Sequence, residues 1–459
     1  MNSISKQYFS LLCFNGAGSK LLQAQLGNAH DVFTIPAYPL KYLPLFFEKW
    51  KISKMFKGKE GLLKLIIKQH KSILDSRYII GFNGLNALGK NHSSHIKISE
   101  SRFKKGFLNF LNKRELTQKN TILAIHYAYQ YSINNKSKNI LYHTHATEIF
   151  SKYLLKDFEK HKVIAINRDP IHNFWRRAYA DEKIEQERFD LSDCEYIKNY
   201  RYINRLRDLY LNFKFFDKKI SSKCRFYTFE DLKVKNSHTL KKICKFLRIK
   251  FNYKKIQYPK FQNKIWWGSK IYKGFTKKNS FVKDSFNNEE NLKLFSNYEI
   301  FILEVALYPY IKKFNFTKNV VKKENFLNKI LFFTKIFLPT KYGVNLFLKR
   351  FHPKNIFNYL KDIIEEAFGK KKIKDYNFNG MYHYHFCYRI TYLINLNLFR
   401  RMLFNHKNNI FVKIFYILSK IFVYIFLQIE LLGLYFLRIY LILSIYFNVR
   451  RKINFIYLG

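Results

Sequence analysis

Tyr8-Phe-Ser-Leu-Leu-Cys-Phe14, followed at once by Asn15-Gly-Ala-Gly-Ser-Lys20 and then Leu21-Leu-Gln-Ala-Gln-Leu26, is the stretch on which the fold turns. The first run is short and apolar, as a buried strand is. The second is a glycine-rich turn, and the third spaces its apolar residues helically. Strand, tight glycine turn and helix in that order open a βαβ unit. The alternation returns downstream: Asn139-Ile-Leu-Tyr142 reads as a strand and Phe150–Phe158 as a helix. Val163-Ile-Ala-Ile166 and Arg225-Phe-Tyr-Thr-Phe229 read as strands, with a helix over Thr239–Leu247. Short apolar strands alternating with helices imply an α/β fold with a mostly parallel sheet covered on both faces.

The chain has 459 residues, enough for two or three ordinary domains. Its 48% hydrophobic and 19% aromatic content excludes a disordered or collagen-like polymer. Against 32 Asp+Glu stand 83 Lys+Arg, a formal charge of +51. Abundant Lys, Asn, Ile, Phe and Tyr point to A/T-rich codons, so part of this charge reflects base composition. What remains favours anionic partners such as nucleotides, acidic glycans or lipid headgroups, and nucleic acid is not expected. Five scattered cysteines without a C-x-x-C fit a reducing compartment, and the N-terminus carries no signal-peptide pattern. A cytoplasmic protein, peripheral at the inner face of the membrane, is the expectation.

Glu48–Leu74 and Tyr196–Ile220 are helical stretches rich in Lys and aromatics. Near Lys318 the βα alternation stops, giving two expected domains, 1–318 and a basic, aromatic-rich helical region 319–459. Within the latter, Phe411–Phe447 is almost wholly apolar, broken by Lys413, Lys420, Glu430 and Arg438. At ~100° per residue the three cations fall within about 20° of one another, with Glu430 some 80° away. Such a helix fits a bilayer interface, its basic stripe towards anionic headgroups; it also fits the centre of a bundle or a span. No charge-free stretch reaches the ~18–20 residues of a span. Arg450-Arg-Lys452 would suit the cytoplasmic leaflet.

Three constellations carry chemistry. At the strand–helix junction, Gly16, Ala17, Gly18, Ser19 and Lys20 either cradle a phosphate with backbone N–H groups or simply turn the chain. They do not form a Walker A loop. In Asn167-Arg-Asp-Pro170, Arg168 ends a buried strand, at the rim where open α/β sheets bind ligands, and its guanidinium suits a phosphate. Asp169-Pro170 starts a helix, with Pro at the first turn and Asp near the N-cap. Phe226-Tyr-Thr-Phe-Glu-Asp-Leu232 is a strand running into an acidic helix start, ordinary α/β material by itself.

In this order and spacing the three resemble the PAPS-dependent sulfotransferases of the bacterial type. Gly18-Ser-Lys-Leu-Leu-Gln-Ala-Gln-Leu-Gly-Asn-Ala-His-Asp-Val32 is similar to that family's phosphosulfate loop and following helix. Arg168-Asp169-Pro170 matches its R-D-P, and Phe229-Glu-Asp-Leu232 with Phe246-Leu-Arg-Ile249 its E-D-L and F-L-G-I segments. The resemblance spans roughly residues 7 to 275. It implies a three-layer α/β/α fold with a P-loop-like sheet, here with a helical C-terminal extension. It implies 3′-phosphoadenosine 5′-phosphosulfate as co-substrate, its phosphosulfate held by Gly16, Ala17, Gly18, Ser19 and Lys20. Arg168 would bind the 3′-phosphate, helped by Arg176 where the family has Ser; Lys273 and Gly274 would lie over the nucleotide. Gly16 stands where the family has a basic residue, so Lys20 becomes the catalytic cation. No metal is required.

Transfer to an alcohol needs a base. In Tyr142-His-Thr-His-Ala146 strand alternation puts His143 and His145 on one face, and His145 is preferred, with His126 and the Glu230/Asp231 pair behind it. The acceptor is expected to be a hydroxylated glycan or lipid-linked glycan. His383, His385 and Cys387 in Met381–Cys387 fit zinc or, better, aromatic packing. Trp266-Trp267 fits stacking on a ligand or, slightly better, core packing. A P-loop phosphotransferase and a degenerate, non-catalytic glycan- or membrane-binding relative are the rival readings.

Overall fold

The computed structural model describes residues 7–13, 18–36, 47, 51, 57–78, 84–144, 162–174, 202–203, 205–211, 213, 224–268, 296–316, 325–370 and 409–452. Its centre is a parallel sheet of five strands: β1 (Gln7–Cys13), β2 (Val32–Phe33), β3 (Asn139–Thr144), β4 (Lys162–Asn167) and β5 (Cys224–Thr228). Their order is β2-β3-β1-β4-β5, every neighbouring pair parallel. Leu11 of β1 lies opposite His143 of β3 on one side and Ile164 of β4 on the other. The apolar run of β4 is a central strand with no face in water: Val163, Ile164 and Ile166 are completely buried. At roughly 2 kcal/mol per large aliphatic side chain, this strand alone anchors the sheet.

Chain direction around the sheet creates the functional geometry. After β1 the chain moves towards β2 and β3, whereas after β4 it moves away to β5. The carboxyl ends of β1 and β4 therefore flank a topological switch point, where open α/β sheets form a crevice. Helix α1 (Ser19–Leu26) leaves the β1 side of that crevice. Between β2 and β3 come α2 (Gly58–Gln69), α3 (Glu100–Leu111) and α4 (Gln118–Ser132). Ser99 and Thr117 cap α3 and α4, their hydroxyls accepting from Arg102 and Asn120 N–H. After β5 follow α5 (Phe229–Val234), α6 (Asn236–Leu247), α7 (Tyr253–Ile256) and a hairpin of β6 (Lys260–Phe261) and β7 (Lys264–Ile265). The expected strands recur with ends moved by a few residues, and Phe229 begins a helix rather than ending a strand.

Beyond the sheet lie α8 (Asn297–Lys313), α9 (Phe326–Lys335), α10 (Lys341–Phe351), α11 (Pro353–Ala367) and the 43-residue α12 (Ile410–Lys452). A capping box of Ser296 and Glu299 starts α8. The hydrophobic core crosses the boundary expected near Lys318: Phe332, Ile336, Leu434, Ile442 and Val449 join the same cluster as Val163. The basic stripe of α12 does not take the orientation that a headgroup-facing stripe would need, but the inward one that the bundle alternative allowed. Lys413, Lys420 and Arg438 share one face as the periodicity requires, but that face turns into the protein. Lys413 lies 4.7 Å from the Phe368 ring, and Lys420 is 5.5 Å from Tyr416 with burial lowering its pKa. Arg438 is 2% exposed and donates to the Ile336 and Leu338 carbonyls.

Candidate functional site

Three chain segments meet at the crevice. Gly18 is the N-cap of α1, at φ 80°, a left-handed conformation that side-chain-bearing residues rarely adopt. A Cβ there would lie 2.1 Å from Cδ2 of Phe229. The absent side chain thus admits the first aromatic ring of α5 against the turn. The Arg168 guanidinium lies 5.0 Å from the centroid of the same ring, within cation–π distance. Gly18 after β1, Arg168 after β4 and Phe229 after β5 are therefore gathered about one phenyl group.

Ser19 and His143 form the second part of the site, both about 5% exposed. The His143 Nε2 is 2.9 Å from Ser19 Oγ, and its Nδ1 is 2.8 Å from Gln23 Oε1. The Gln23 amide nitrogen donates to Thr34 Oγ1 at 2.8 Å and to the Ile35 carbonyl at 2.9 Å. Both amide protons being used, its oxygen can only accept, so His143 Nδ1 carries a proton. In the neutral ring Nε2 then accepts from the Ser19 hydroxyl. A second proton reverses that bond: Nε2–H donates to Ser19, whose own hydroxyl proton becomes available to an anion. Thr34 completes the chain by donating to the Leu141 carbonyl at 2.9 Å.

The third part is a group of buried polar side chains at the end of β4. Asp169 caps the helical residues 170–174, its Oδ1 accepting from the Ile171 and His172 N–H at 2.9 and 3.1 Å. The Asp169 N–H donates to Glu230 Oε1 at 3.1 Å, tying β4 to α5. Burial pushes the Asp169 carboxyl up to about 6, opposed by those backbone bonds and by Arg168. Burial also raises Glu230, and it lowers His172 to about 4 with help from Arg168. Asn167, the last residue of β4, is completely buried with neither amide atom hydrogen-bonded, and Glu230 Oε2 is likewise without a partner. Buried polar atoms ordinarily find partners; unpaired ones gather here, as they also do about Arg438 and Glu299.

Of the residues expected from sequence, Gly18, Ser19, Lys20 and Arg168 are described. The Lys20 ammonium donates to the Pro36 carbonyl at 2.9 Å and lies 5.7 Å from the Phe261 ring, which directs it towards the β2 edge. Gly16, Ala17, His145, Arg176, Lys273 and Gly274 lie outside the described residues, as do Met381–Cys387. His126 binds the Ile122 carbonyl at 2.8 Å inside its own helix and packs edge-on to Tyr142. Asp231 sits exposed at the start of α5, where Thr228 caps its N–H, and pairs with Lys235 at 3.7 Å. Trp266 packs against Phe261, while Trp267 stacks on His92 and donates to the Gly89 carbonyl. Gln23, Asn167 and Phe229 were not singled out from sequence. Gln23 carried a signal: a helix whose Leu21, Leu22, Ala24 and Leu26 are all buried must bury its glutamine too. Asn167, polar at the end of an apolar run, carried another.

No protein-family model matches the chain, and no curated protein matches it. Among solved structures it is similar to the sulfotransferase domain from the curacin biosynthetic pathway, with a TM-score of 0.31 and 15% identity over 54% of this chain and 75% of that one. It is also similar to the sulfotransferase domain from the Synechococcus PCC 7002 olefin synthase, with a TM-score of 0.29 and 12% identity over 63% of this chain and 84% of that one.

Proposed function

We propose that this chain is a sulfotransferase that takes its sulfuryl group from 3′-phosphoadenosine 5′-phosphosulfate and passes it to a hydroxyl. The observation that carries the reading is the meeting of Gly18, Arg168 and Phe229 at the switch point, since each comes from a different one of the three motif segments. In this reading the fold is a three-layer α/β/α arrangement around a P-loop-like sheet. The turn from Gly16 to Lys20 holds the 5′-phosphosulfate with backbone N–H groups and the Ser19 hydroxyl. Arg168 and Arg176 receive the 3′-phosphate, and Lys273 with Gly274 closes over the nucleotide.

The reaction is an in-line displacement at sulfur. The acceptor oxygen forms a bond to sulfur as the bond from sulfur to the bridging phosphate oxygen breaks, leaving adenosine 3′,5′-bisphosphate. The acceptor proton passes to His145. Lys20, released from the Pro36 carbonyl, and the turn amides would neutralise charge on the departing phosphate. A hydroxylated glycan or lipid-linked glycan is the acceptor class that the basic chain favours.

Calorimetric titration with adenosine 3′,5′-bisphosphate and with ATP tests the donor. We expect the bisphosphate to bind at least tenfold more tightly, and Arg168→Ala to weaken it about tenfold to a hundredfold, the range of a charge-assisted phosphate contact. Preference for ATP, or undiminished affinity in a folded Arg168→Ala variant, would overturn the assignment.

A further inference from the structure

The outer face of α12 carries a row of exposed apolar residues. Phe411, Leu418, Phe422, Ile429, Phe436 and Phe447 are all exposed, Phe411 at 78% and Phe436 at 65%. At ~100° per residue these six fall within about 20° of a single line along the helix. The row runs for 36 residues, roughly 54 Å at 1.5 Å per residue. Lys413, Lys420 and Arg438 project from the opposite side, into the protein. This helix is inverted relative to one that faces water: these three cations point inward and the phenyl row points outward.

Three neighbouring helices show the same exposure, each with lysine beside it. On α11, Phe357 and Ile364 are exposed in one row that Phe368, just past its end, continues, and Lys354 and Lys361 lie exposed along its margin. Lys341 stands beside exposed Val344 and Phe351 on α10, and Lys329 beside exposed Phe326 and Ile330 on α9. Of 29 exposed large hydrophobic side chains among the described residues, 26 lie in segments 325–370 and 409–452, 23 of them within these four helices. The same described segments hold 14 Lys+Arg against four Asp+Glu. Apolar faces rimmed by snorkelling lysines match the boundary between acyl chains and anionic headgroups.

We propose that α9–α12 form a monotopic platform that lies in one leaflet of an anionic lipid bilayer. A span is a poorer fit. The stretch Leu431–Arg451 is long and apolar enough to cross, yet 44% of its window is buried inside the protein. Arg438 within it is tied to the Ile336 and Leu338 carbonyls next to α9. At 43 residues α12 is roughly 65 Å long, about twice the thickness of a hydrocarbon core, and suits the plane of the membrane. A coiled coil with a second copy is also a poorer fit. That seam favours Ile, Val and Leu with charged flanks, whereas this row is rich in Phe and lacks such flanks. The inference is independent of the reaction proposed above.

Flotation of the full chain with vesicles tests it, using phosphatidylcholine alone and phosphatidylcholine containing phosphatidylserine. The chain should float with the anionic vesicles and about tenfold less with the neutral ones, and high salt should weaken binding. Phe411→Asp, Phe436→Asp and Phe447→Asp combined should lower partitioning at least a hundredfold, since each removes an interfacial phenyl group. All three side chains are outward-facing, so the variant's melting temperature should stay that of the parent. A parent chain that stays at the bottom with anionic vesicles would overturn the proposal, as would a triple variant that floats equally well. A concentration-dependent dimer that the triple variant dissolves, without flotation of the parent, would assign the face to a second copy instead.

Discussion

Asp169 offers a quantitative test of the site's electrostatics. Its carboxyl is 4% exposed, and burial lifts it from the usual 3.8 to about 6. Folding therefore favours the protonated acid. Below about pH 3.8 both states hold the proton and the native state keeps this advantage in full. Between 3.8 and 6 the unfolded chain has released a proton that the native chain retains, so stability falls as pH rises. Above 6 the loss is complete and levels off. Two pKa units at 1.36 kcal/mol each amount to about 3 kcal/mol. Asp169→Asn keeps an oxygen for the Ile171 and His172 N–H groups and does not titrate. The variant should match the parent near pH 3.8 and exceed it by up to about 3 kcal/mol at pH 7. Urea unfolding followed by tryptophan fluorescence at pH 4, 5, 6 and 7 reads the difference directly, since other titrations are common to both proteins. A difference that stays constant across that range would refute the reasoning.

Three further outcomes are expected. Gly18→Ala should cost at least ~1–2 kcal/mol from the left-handed backbone alone, and more from displacing Phe229; a double-mutant cycle with Phe229→Leu in thermal unfolding should show coupling, and strict additivity would exclude the contact. Binding of adenosine 3′,5′-bisphosphate should draw a proton to His143 as Ser19 turns to the ligand; calorimetry in buffers of different ionisation enthalpy should show uptake in the parent and less in His143→Asn, and equal uptake in both would exclude the relay. Arg438→Met should destabilise the fold by about 3–5 kcal/mol, because Glu299 then stays buried without its neighbouring cation and two carbonyls lose their donor; an unchanged denaturant midpoint would show that α12 is held by apolar packing alone.

The sheet was legible because its strands are buried on both faces and so read as short apolar runs between turns; Val163–Ile166 could hardly be anything else. Two-residue β2 left no such trace, its pairing with β3 being decided by tertiary contact. His143 stands near the end of β3, where the sequence put it, while His145 lies outside the described residues. That His143 meets α1 depended on register with β1, which no local pattern reveals. Lys20 shows the same limit: its ammonium is held by Pro36, 16 residues on, through a packing arrangement rather than a motif. On α12 the periodicity gave the angles between the cations correctly and could not say which side faces the protein. The expectation that cations face outward is a rule for helices in water, and this helix breaks it.

Two clusters of buried polar groups lie at different places in the fold. Arg438 is buried where α12 meets α8 and the residues just after α9, with bonds to two carbonyls and Glu299 nearby. It ties those elements together, although Arg438 Nε and Nη1 and Glu299 Oε1 have no hydrogen-bond partner. The second cluster is at the end of β4, at the switch point. Asn167 is wholly buried with no bond at either amide atom, Glu230 has one oxygen occupied and one not, and Asp169 bears a carboxyl raised by burial. Each such group costs ~1–3 kcal/mol against a net stability of only ~5–15 kcal/mol. A fold that concentrates these costs in a few residues at a switch point, beside Arg168 and the start of α1, is stabilised by whatever polar molecule satisfies them. Binding there should accordingly raise the melting temperature, since a ligand that pairs these atoms only in the native state shifts the equilibrium by mass action.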